Sequence, residues 1–380
     1  MRIVHVSPHL PPDQGANALL PAALGRWGAE RGDEVTFVAH PAMQLRTEST
    51  TAAGNAVRWV PRRSAASGLS QTLKIASWRT ARAVTRALDE TAKKADLVHL
   101  HSNGLIIEAA SRWAAQRRVP TVLTLYGTEI WHYRRRTIDP FRQAYMRAGA
   151  VTFYSRRLLE RAREIGLGRE GLSVIYPAVD PAFAPRDDAG RRDLRASLGI
   201  EEPLVVLNVK RLHELAGQTF LIEAFARIAR ARRDVRLVIC GAGPLRETLE
   251  EQARTMRIAH KVTFAGLVPN AVVAQYAAVA DVFVLPSLLE ALPTVAVEAL
   301  AAGTPVISAD HPGGVELHEL VAADLELVPT RDVPRLADAL TAALERPRRV
   351  TARTLELVQQ HFSPDAVQRA YDEVYANVMK

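Results

Sequence analysis

Short apolar runs alternate along this chain with longer stretches in which apolar residues return every three or four positions. The first pattern is that of strands buried on both faces, and the second that of helices laid on a core. Residues 3–7, 34–40, 97–102, 121–126, 151–154 and 174–176 read as strands in the first half, with helical patterns at 16–31, 72–94, 105–116 and 156–165. Between Pro177 and Arg192 the alternation stops. Pro177, Pro181 and Pro185 stand among Asp180, Asp187 and Asp188, a hinge-like composition. The alternation then restarts, with strands expected at 204–209, 235–240, 262–264, 282–285, 305–308 and 325–328 and helices at 219–231, 244–256, 293–302 and 333–345. The last segment opens on Ser363-Pro364, an N-cap followed by proline at the first helical position. Strands alternating with helices predict parallel sheets covered on both faces, and the break near residue 180 predicts two of them.

A length of 380 residues fits two domains. The single cysteine, Cys240, excludes an internal disulfide framework and a cysteine-rich metal site; it lies in an apolar run and reads as an inert buried thiol. No apolar stretch is long enough to cross a membrane, and the first residues read as a strand, so a cytoplasmic protein is expected. The net charge is +8, carried by arginine clusters such as Arg62-Arg63, Arg134-Arg135-Arg136 and Arg156-Arg157. Genome composition accounts for such a bias as well as function does. The functional readings are an acidic acceptor or peripheral contact with an anionic membrane. No zinc-finger spacing or aromatic-and-basic RNA-binding signature accompanies the charge, so no nucleic-acid partner is expected.

The most specific chemistry sits in Pro286-Ser-Leu-Leu-Glu290-Ala-Leu-Pro-Thr-Val-Ala-Val-Glu298 and the following Ala-Leu-Ala-Ala-Gly303-Thr-Pro-Val. A strand ends in a Pro-Ser turn, a loop carries Glu290, and a helix starts near Pro293. The amides of Thr294, Val295 and Ala296 are then expected free at the positive end of that helix, an anion site with Glu290 just outside it and Glu298 one turn within.

This stretch resembles the E-x7-E signature of the retaining family 4 glycosyltransferases. The resemblance covers most of the chain and is densest from Asn208 to Glu316. It implies an α/β chain of GT-B fold: two Rossmann-like doubly wound domains, an inter-domain cleft, and a C-terminal helix that returns to the N-terminal domain. Residues 1–180 would form the acceptor-binding domain, 181–361 the donor-binding domain and 362–380 the returning helix. The implied reaction moves a sugar, with retention, from a nucleotide diphosphate sugar, most commonly a UDP-sugar, to a hydroxyl of a small-molecule or lipid-linked acceptor. No cofactor and no metal are implied. Glu290 would grip the donor sugar and Glu298 the ribose, with Ala291, Leu292, Pro293, Thr294 and Val295 around the phosphates and Gly241 near the base.

Other segments match the family in part. Lys210-Arg211-Leu-His213-Glu-Leu-Ala216-Gly217 stands against Gly-Arg-Leu-x-x-x-Lys-Gly, so Arg211 carries over as the diphosphate ligand while Lys210 replaces Gly and Ala216 replaces Lys. Lys210 or His213 could supply the lost charge. Gln14-Gly15 stands for the usual Gly-Gly after the first strand, leaving Gly15 to approach the donor phosphate. Tyr126 stands for the usual histidine at the end of the 121–126 strand, in a position to donate to a sugar hydroxyl or developing oxyanion but poorly suited as a base. Glu129 and His101 are expected on the acceptor side. His99 and His101 alternate onto one side of their strand, with no evident third ligand for a metal. Tyr126 and Ala216 also fit a non-catalytic nucleotide-sugar-binding protein on the same fold, and a GT-B nucleotide-sugar epimerase is a third reading.

Overall fold

A computed structural model describes residues 1–11, 13, 15–41, 55–61 and 75–380, with side chains from residue 77 in the last stretch. Seven parallel strands form the first sheet: β1 (Arg2–Ser7), β2 (Glu34–Ala39), β3 (Ala56–Trp59), β4 (Leu97–His101), β5 (Thr121–Leu125), β6 (Ala150–Phe153) and β7 (Leu172–Val174). Their spatial order is β3-β2-β1-β4-β5-β6-β7. Six parallel strands form the second: β8 (Leu204–Val209), β9 (Val235–Cys240), β10 (Val262–Gly266), β11 (Val282–Leu285), β12 (Val306–Ala309) and β13 (Leu325–Val328), in the order β10-β9-β8-β11-β12-β13. Each order runs outward from its first strand and then reverses. The reversal opens a crevice at the carboxyl ends of β1 and β4 in one sheet and of β8 and β11 in the other, where ligands of wound sheets bind.

The chain divides into one unit of residues 1–177 and 367–380 and a second of residues 178–366. In the second unit, β8, β9, β11 and β12 send Val206, Leu237, Val284 and Ile307 to a core shared with Leu221, Phe225 and Leu340 of the helices Gln218–Ala229 and Val333–Glu345. In the first, Val4, Val6, Val98, Leu100, Leu123 and Phe153 build an apolar core under the helix Leu105–Arg117. The opposite face of that sheet is polar: it carries His5, His99, His101, Thr124 and Thr152, all buried.

The tail covers this polar face. Ser363 caps the last helix, Pro364–Val378, by accepting from the amide of Ala366 at 3.3 Å. Tyr375 then shares a 2.7 Å hydrogen bond with Nδ1 of His99, and Arg31 pairs with Asp372 at 2.9 Å. Among the described residues no helix is long and apolar enough to cross a membrane.

One expectation changes. The proline-rich segment after Pro177 was read as linker through Arg192, but Asp187 caps a helix at Asp188–Ser197, accepting from the amide of Gly190 at 2.8 Å. That helix buries no residue; Arg191 and Arg195 tie it to Asp281 at 2.8 and 2.7 Å. The helix expected from residue 72 is described from Ile75 to Thr91; residues 72–74 lie outside the described residues, as do Arg62, Arg63 and Gln14.

Candidate functional site

At the open end of the second sheet three loops interlock through glycines. Gly217 has φ +71°, and a Cβ there would stand 2.0 Å from the carbonyl oxygen of Pro286. Gly241 has φ +143°, and a Cβ would stand 2.1 Å from that of Lys210. Only glycine fits such places, because positive φ and backbone contact exclude any side chain. The loops after β8, β9 and β11 are thereby drawn together.

Their charges meet as well. Nζ of Lys210, just after β8, lies 2.6 Å from Oε1 of Glu290, in the loop after β11, and both side chains are mostly buried. The helix Thr294–Ala301 follows, with Pro293 as an N-cap that has no side chain to offer its amides. Three free amides were expected there, and the structure leaves one. Thr294 donates to the carbonyl of Leu292 at 3.1 Å and Ala296 to that of Pro293 at 2.9 Å, while the amide of Val295 donates to no backbone carbonyl among the described residues. The tight first turn explains the difference, since a γ-turn bond from Thr294 and a 3₁₀-type bond from Ala296 consume amides that an ideal helix leaves bare.

Glu298, one turn inside, has its carboxyl pushed up to about 7, first by burial, then by Asp180, with Lys210 opposing. It is a carboxylate short of a partner. Burial, with Arg211 and Lys210 nearby, holds His213 below the usual imidazole range, and its Nδ1 accepts from the amide of Leu215 at 3.2 Å. A ring that stays neutral adds no charge to a phosphate site. Arg211 is exposed, its carbonyl taken by Gln218 at 3.3 Å. Ala216, where the resemblance has a lysine, is fully buried. A lysine there would have to thread its stem out of the interior.

Three features escaped the sequence reading. The helix Pro312–Val321 also starts here: the amide of Gly313 donates to the carbonyl of Glu290 at 3.1 Å, and His311 caps it through Nδ1, which accepts from Gly314 at 2.9 Å. Burial takes the His311 imidazole down to about 4. Oγ of Ser287 and Oε1 of Gln218 are buried without a hydrogen-bond partner. Buried polar atoms are normally satisfied, so orphans at an open sheet end mark where a polar ligand would complete the set.

The first sheet presents a different picture. His5 pairs in register with His99 across β1 and β4, so His5, His99 and His101 share one face, with ring nitrogens within 4.8 Å of one another. His5 is the third histidine that the sequence did not reveal, because nothing in a linear reading sets β1 beside β4. The rings of His99 and His101 stack at 4.0 Å and 29°. Stacked rings send their in-plane lone pairs side by side, whereas a common metal ion needs them to converge. Their nitrogens meet protein partners instead. His5 Nδ1 and His101 Nε2 are 3.0 Å apart, His101 Nδ1 and Tyr126 Oη 2.8 Å, and His99 Nε2 and Thr124 Oγ1 2.7 Å.

Two acceptor-side expectations are corrected by this burial. His101 is fully buried and spends both nitrogens on the protein. Glu129 is buried too: it accepts from the amides of Tyr126 at 3.2 Å and Gly127 at 2.8 Å and from the hydroxyl of Ser102. It clamps a turn and offers nothing outward. Tyr126 is half-buried as a residue, and burial drives its phenol well above the ordinary value. Gly15 caps the helix Ala16–Glu30 in an extended conformation open to any residue. Cys240 is a buried thiol pushed up to about 12 by burial.

The model for Glycosyl transferases group 1 matches residues 190–355 and that for Glycosyltransferase Family 4 matches residues 22–183. TuaC of Bacillus subtilis (strain 168), named for teichuronic acid biosynthesis, is 30% identical over 277 residues, 70% of this chain and 65% of its own. A GDP-mannose-dependent alpha-(1-6)-phosphatidylinositol monomannoside mannosyltransferase of Mycolicibacterium smegmatis is 32% identical over 251 residues, 64% of this chain. The matched part spans 65% of the length of each of these relatives. Among solved structures, Anabaena HepE in complex with UDP and glucose superposes with a TM-score of 0.77 at 19% identity, over 99% of both chains. That likeness shows the fold, GT-B, with its two Rossmann-like sheets. The chain belongs to the family 4 glycosyltransferases.

Proposed function

We propose that this protein transfers a sugar from a nucleotide diphosphate sugar, a UDP-sugar, to a hydroxyl of a small-molecule or lipid-linked acceptor, with retention at the anomeric carbon. The observation that carries the reading is the Lys210–Glu290 pair at the carboxyl ends of β8 and β11, where the strand order reverses, beside the uncapped helix start at Thr294. Anions are favoured at such a helix start, and ligands at such a reversal.

In this reading Glu290 holds the transferred sugar and Glu298 accepts from the ribose diol. Arg211, Lys210 and the amide of Val295 take the diphosphate, with Ala291, Leu292, Pro293 and Thr294 shaping the turn around it and Gly241 under the base. Lys210 supplies the cation that Ala216 lacks. Without donor it is neutralised by Glu290; a phosphate would take over the ammonium and leave the carboxylate free for sugar hydroxyls. The charge that develops on the leaving diphosphate is then met by fixed cations and an amide dipole, which is the kind of stabilisation that lowers a barrier most. Retention follows if the leaving phosphate takes the acceptor's proton on the same face. No resident cofactor is needed. In the first unit, Tyr126 is assigned to the acceptor side, its hydroxyl paired with His101 and its amide with Glu129.

The relative that uses GDP-mannose supports a second donor, and the test separates the two. Titration calorimetry with UDP and GDP reads the base. Incubation of the preferred nucleotide's sugars with an acceptor panel reads transfer, and NMR of the product reads the anomeric configuration. Transfer with retention, unchanged by EDTA, is expected. Binding with no release of sugar would make this a nucleotide-sugar-binding protein, and recovery of an altered nucleotide sugar would make it an epimerase.

A further inference from the structure

Past β5 the chain makes a turn that sets charge and apolar surface side by side in the open. Tyr133 and Asp139 close it. The phenol donates to Oδ2 of Asp139 at 2.6 Å, while Oδ1 accepts from the amide of Arg142 at 2.9 Å and caps the helix Pro140–Arg147. The ring of Tyr133 lies 5.8 Å from that of Phe141, and both pack on the core of the first sheet. Residues 134–138 are thereby held out of the interior. Arg134, Arg135 and Arg136 are exposed, and Ile138, at 77%, is the most exposed large apolar residue among those described. No ion pair among the described residues involves these three arginines. The acids of this side are engaged elsewhere: Asp139 in the turn, Asp89 with Arg117 and Glu90 with Arg58 at 2.6 Å. Glu108, which feels both Arg112 and Arg136, is half-buried. The helix Leu105–Arg117 packs against both Pro140–Arg147 and the helix Ile75–Thr91. The last of these buries Val84, Ala87 and Leu88 and leaves Arg79, Arg82 and Arg86 exposed, with Trp78 60% exposed and its ring centroid 5.3 Å from the Arg82 guanidinium.

We propose that the turn 134–138 docks the first unit on an anionic lipid surface, with its arginines among the headgroups, Ile138 entering the apolar layer and the Trp78 helix extending the basic surface. Arginines alone would fit any polyanion. The apolar tip decides for lipid. An isoleucine gains nothing from a phosphate backbone, whereas it gains from leaving water for acyl chains. Tryptophan beside arginine is likewise the pairing that suits the boundary between headgroups and chains. The turn is also built to present that tip, because the Tyr133–Asp139 bond and the capped helix keep Ile138 from folding back onto Phe141. A contact made of a few charges and one inserted side chain is peripheral and salt-sensitive. It does not depend on the transferase reading.

Sedimentation of the full chain with vesicles tests it. The protein should pellet with equal parts phosphatidylcholine and phosphatidylglycerol, stay in solution with phosphatidylcholine alone, and leave the anionic pellet as salt is raised. Arg134→Gln, Arg135→Gln and Arg136→Gln together should lower the partition coefficient about hundredfold. Arg134→Lys, Arg135→Lys and Arg136→Lys together should keep most of it, since the charge remains. Ile138→Ser should lower it about tenfold. Ile138→Trp should raise it, and brominated acyl chains should quench the added indole; a gain of this kind cannot come from a damaged fold. None of these changes touches Tyr133 or Asp139, so every variant should melt with the parent. Equal recovery with both kinds of vesicle overturns the proposal. So does an unchanged partition coefficient in the Arg→Gln or the Ile138→Ser protein. Binding to a DNA duplex that is indifferent to Ile138→Ser, without binding to either vesicle, would reassign the arginines to nucleic acid and overturn it as well.

Discussion

The two sheets share one strand order and use the same place in opposite ways. At the reversal in the first sheet, β1 and β4 bring together neutral rings hydrogen-bonded to one another and to Tyr126 through His5 and His101, with Nε2 of His5 left without a partner. At the reversal in the second, β8 and β11 bring together Lys210, Glu290 and Glu298, with Ser287 and Gln218 left partly unsatisfied. Topology supplies the crevice in both. What differs is charge: the first crevice is lined by neutral rings, the second by an ammonium and carboxyl groups.

The two units should therefore respond to acid with opposite signs, and this is the largest effect expected. His5 titrates near 3 in the folded protein against 6.5 when exposed, so the unfolded chain binds more protons between those values. The first unit then loses stability as pH falls from 6.5, by on the order of 4 kcal/mol at most for this one ring. Glu298 titrates near 7 against 4.5, so its contribution to the second unit is fully present below 4.5 and is lost as pH rises to 7. Hydrogen exchange at pH 7.5 and 5.5 can follow both units at once. Amides of β1 and β4 should lose protection on acidification relative to those of β8 and β11. A parallel loss in both sheets would break the contrast.

The glycines sharpen it next. Gly217→Ala must place a Cβ 2.0 Å from the carbonyl of Pro286 at φ +71°, which should cost about 2–4 kcal/mol. Among the described residues Gly15→Ala meets the side chain of Asn17, its oxygen at 2.6 Å, from an extended backbone. The side chain of Asn17 can turn away, and the cost should stay within about 0.5 kcal/mol. Urea midpoints of the two variants compare them directly. Equal costs would mean that the second unit's loops are not held by backbone contact.

How much of this was legible beforehand follows from the same physics. Strands buried on both faces announce themselves as apolar runs, so 204–209, 235–240, 282–285 and 325–328 were placed to the residue. β3 was missed because Ala56–Trp59 is a partly exposed edge carrying Arg58. The helix Asp188–Ser197 was missed because it buries nothing and is held by arginines to Asp281, a partner far along the chain. The Glu290 to Glu298 stretch was legible as a motif, but its pairing with Lys210 was not, because that depends on β8 lying beside β11. The histidine layer was half legible: alternation put His99 and His101 together, and only the strand order adds His5. His101 and Glu129 were expected to face a ligand because they flank strand ends, yet both are spent inside.

Removing the residue proposed to hold the ribose tests the second crevice. Glu298→Ala should weaken the nucleotide about tenfold or more, roughly 1.5–3 kcal/mol for a carboxylate that accepts from two hydroxyls. Calorimetry with a nucleotide lacking both ribose hydroxyls supplies the control, for which parent and variant should agree. An unchanged dissociation constant for the normal nucleotide would take Glu298 out of the site.

The smallest effect is the most specific. A Glu298 carboxyl near 7 is only part-ionised at neutral pH in the free protein, and burial is the main reason. The ionised form is the better acceptor for a ribose diol, because charge-assisted hydrogen bonds are stronger. Donor affinity should therefore rise as pH is raised from 6 to 8, by up to about tenfold for a group that titrates in that window. His311 is held at about 4 and stays neutral across it, so that ring supplies no competing slope. The second phosphate ionisation of a nucleoside diphosphate does, and a diphosphate sugar, which lacks it, is the ligand to use. Glu298→Gln should bind that ligand with little dependence on pH. If parent and variant give the same slope, the rise belongs to another group and the carboxylate of Glu298 is not what the ribose meets.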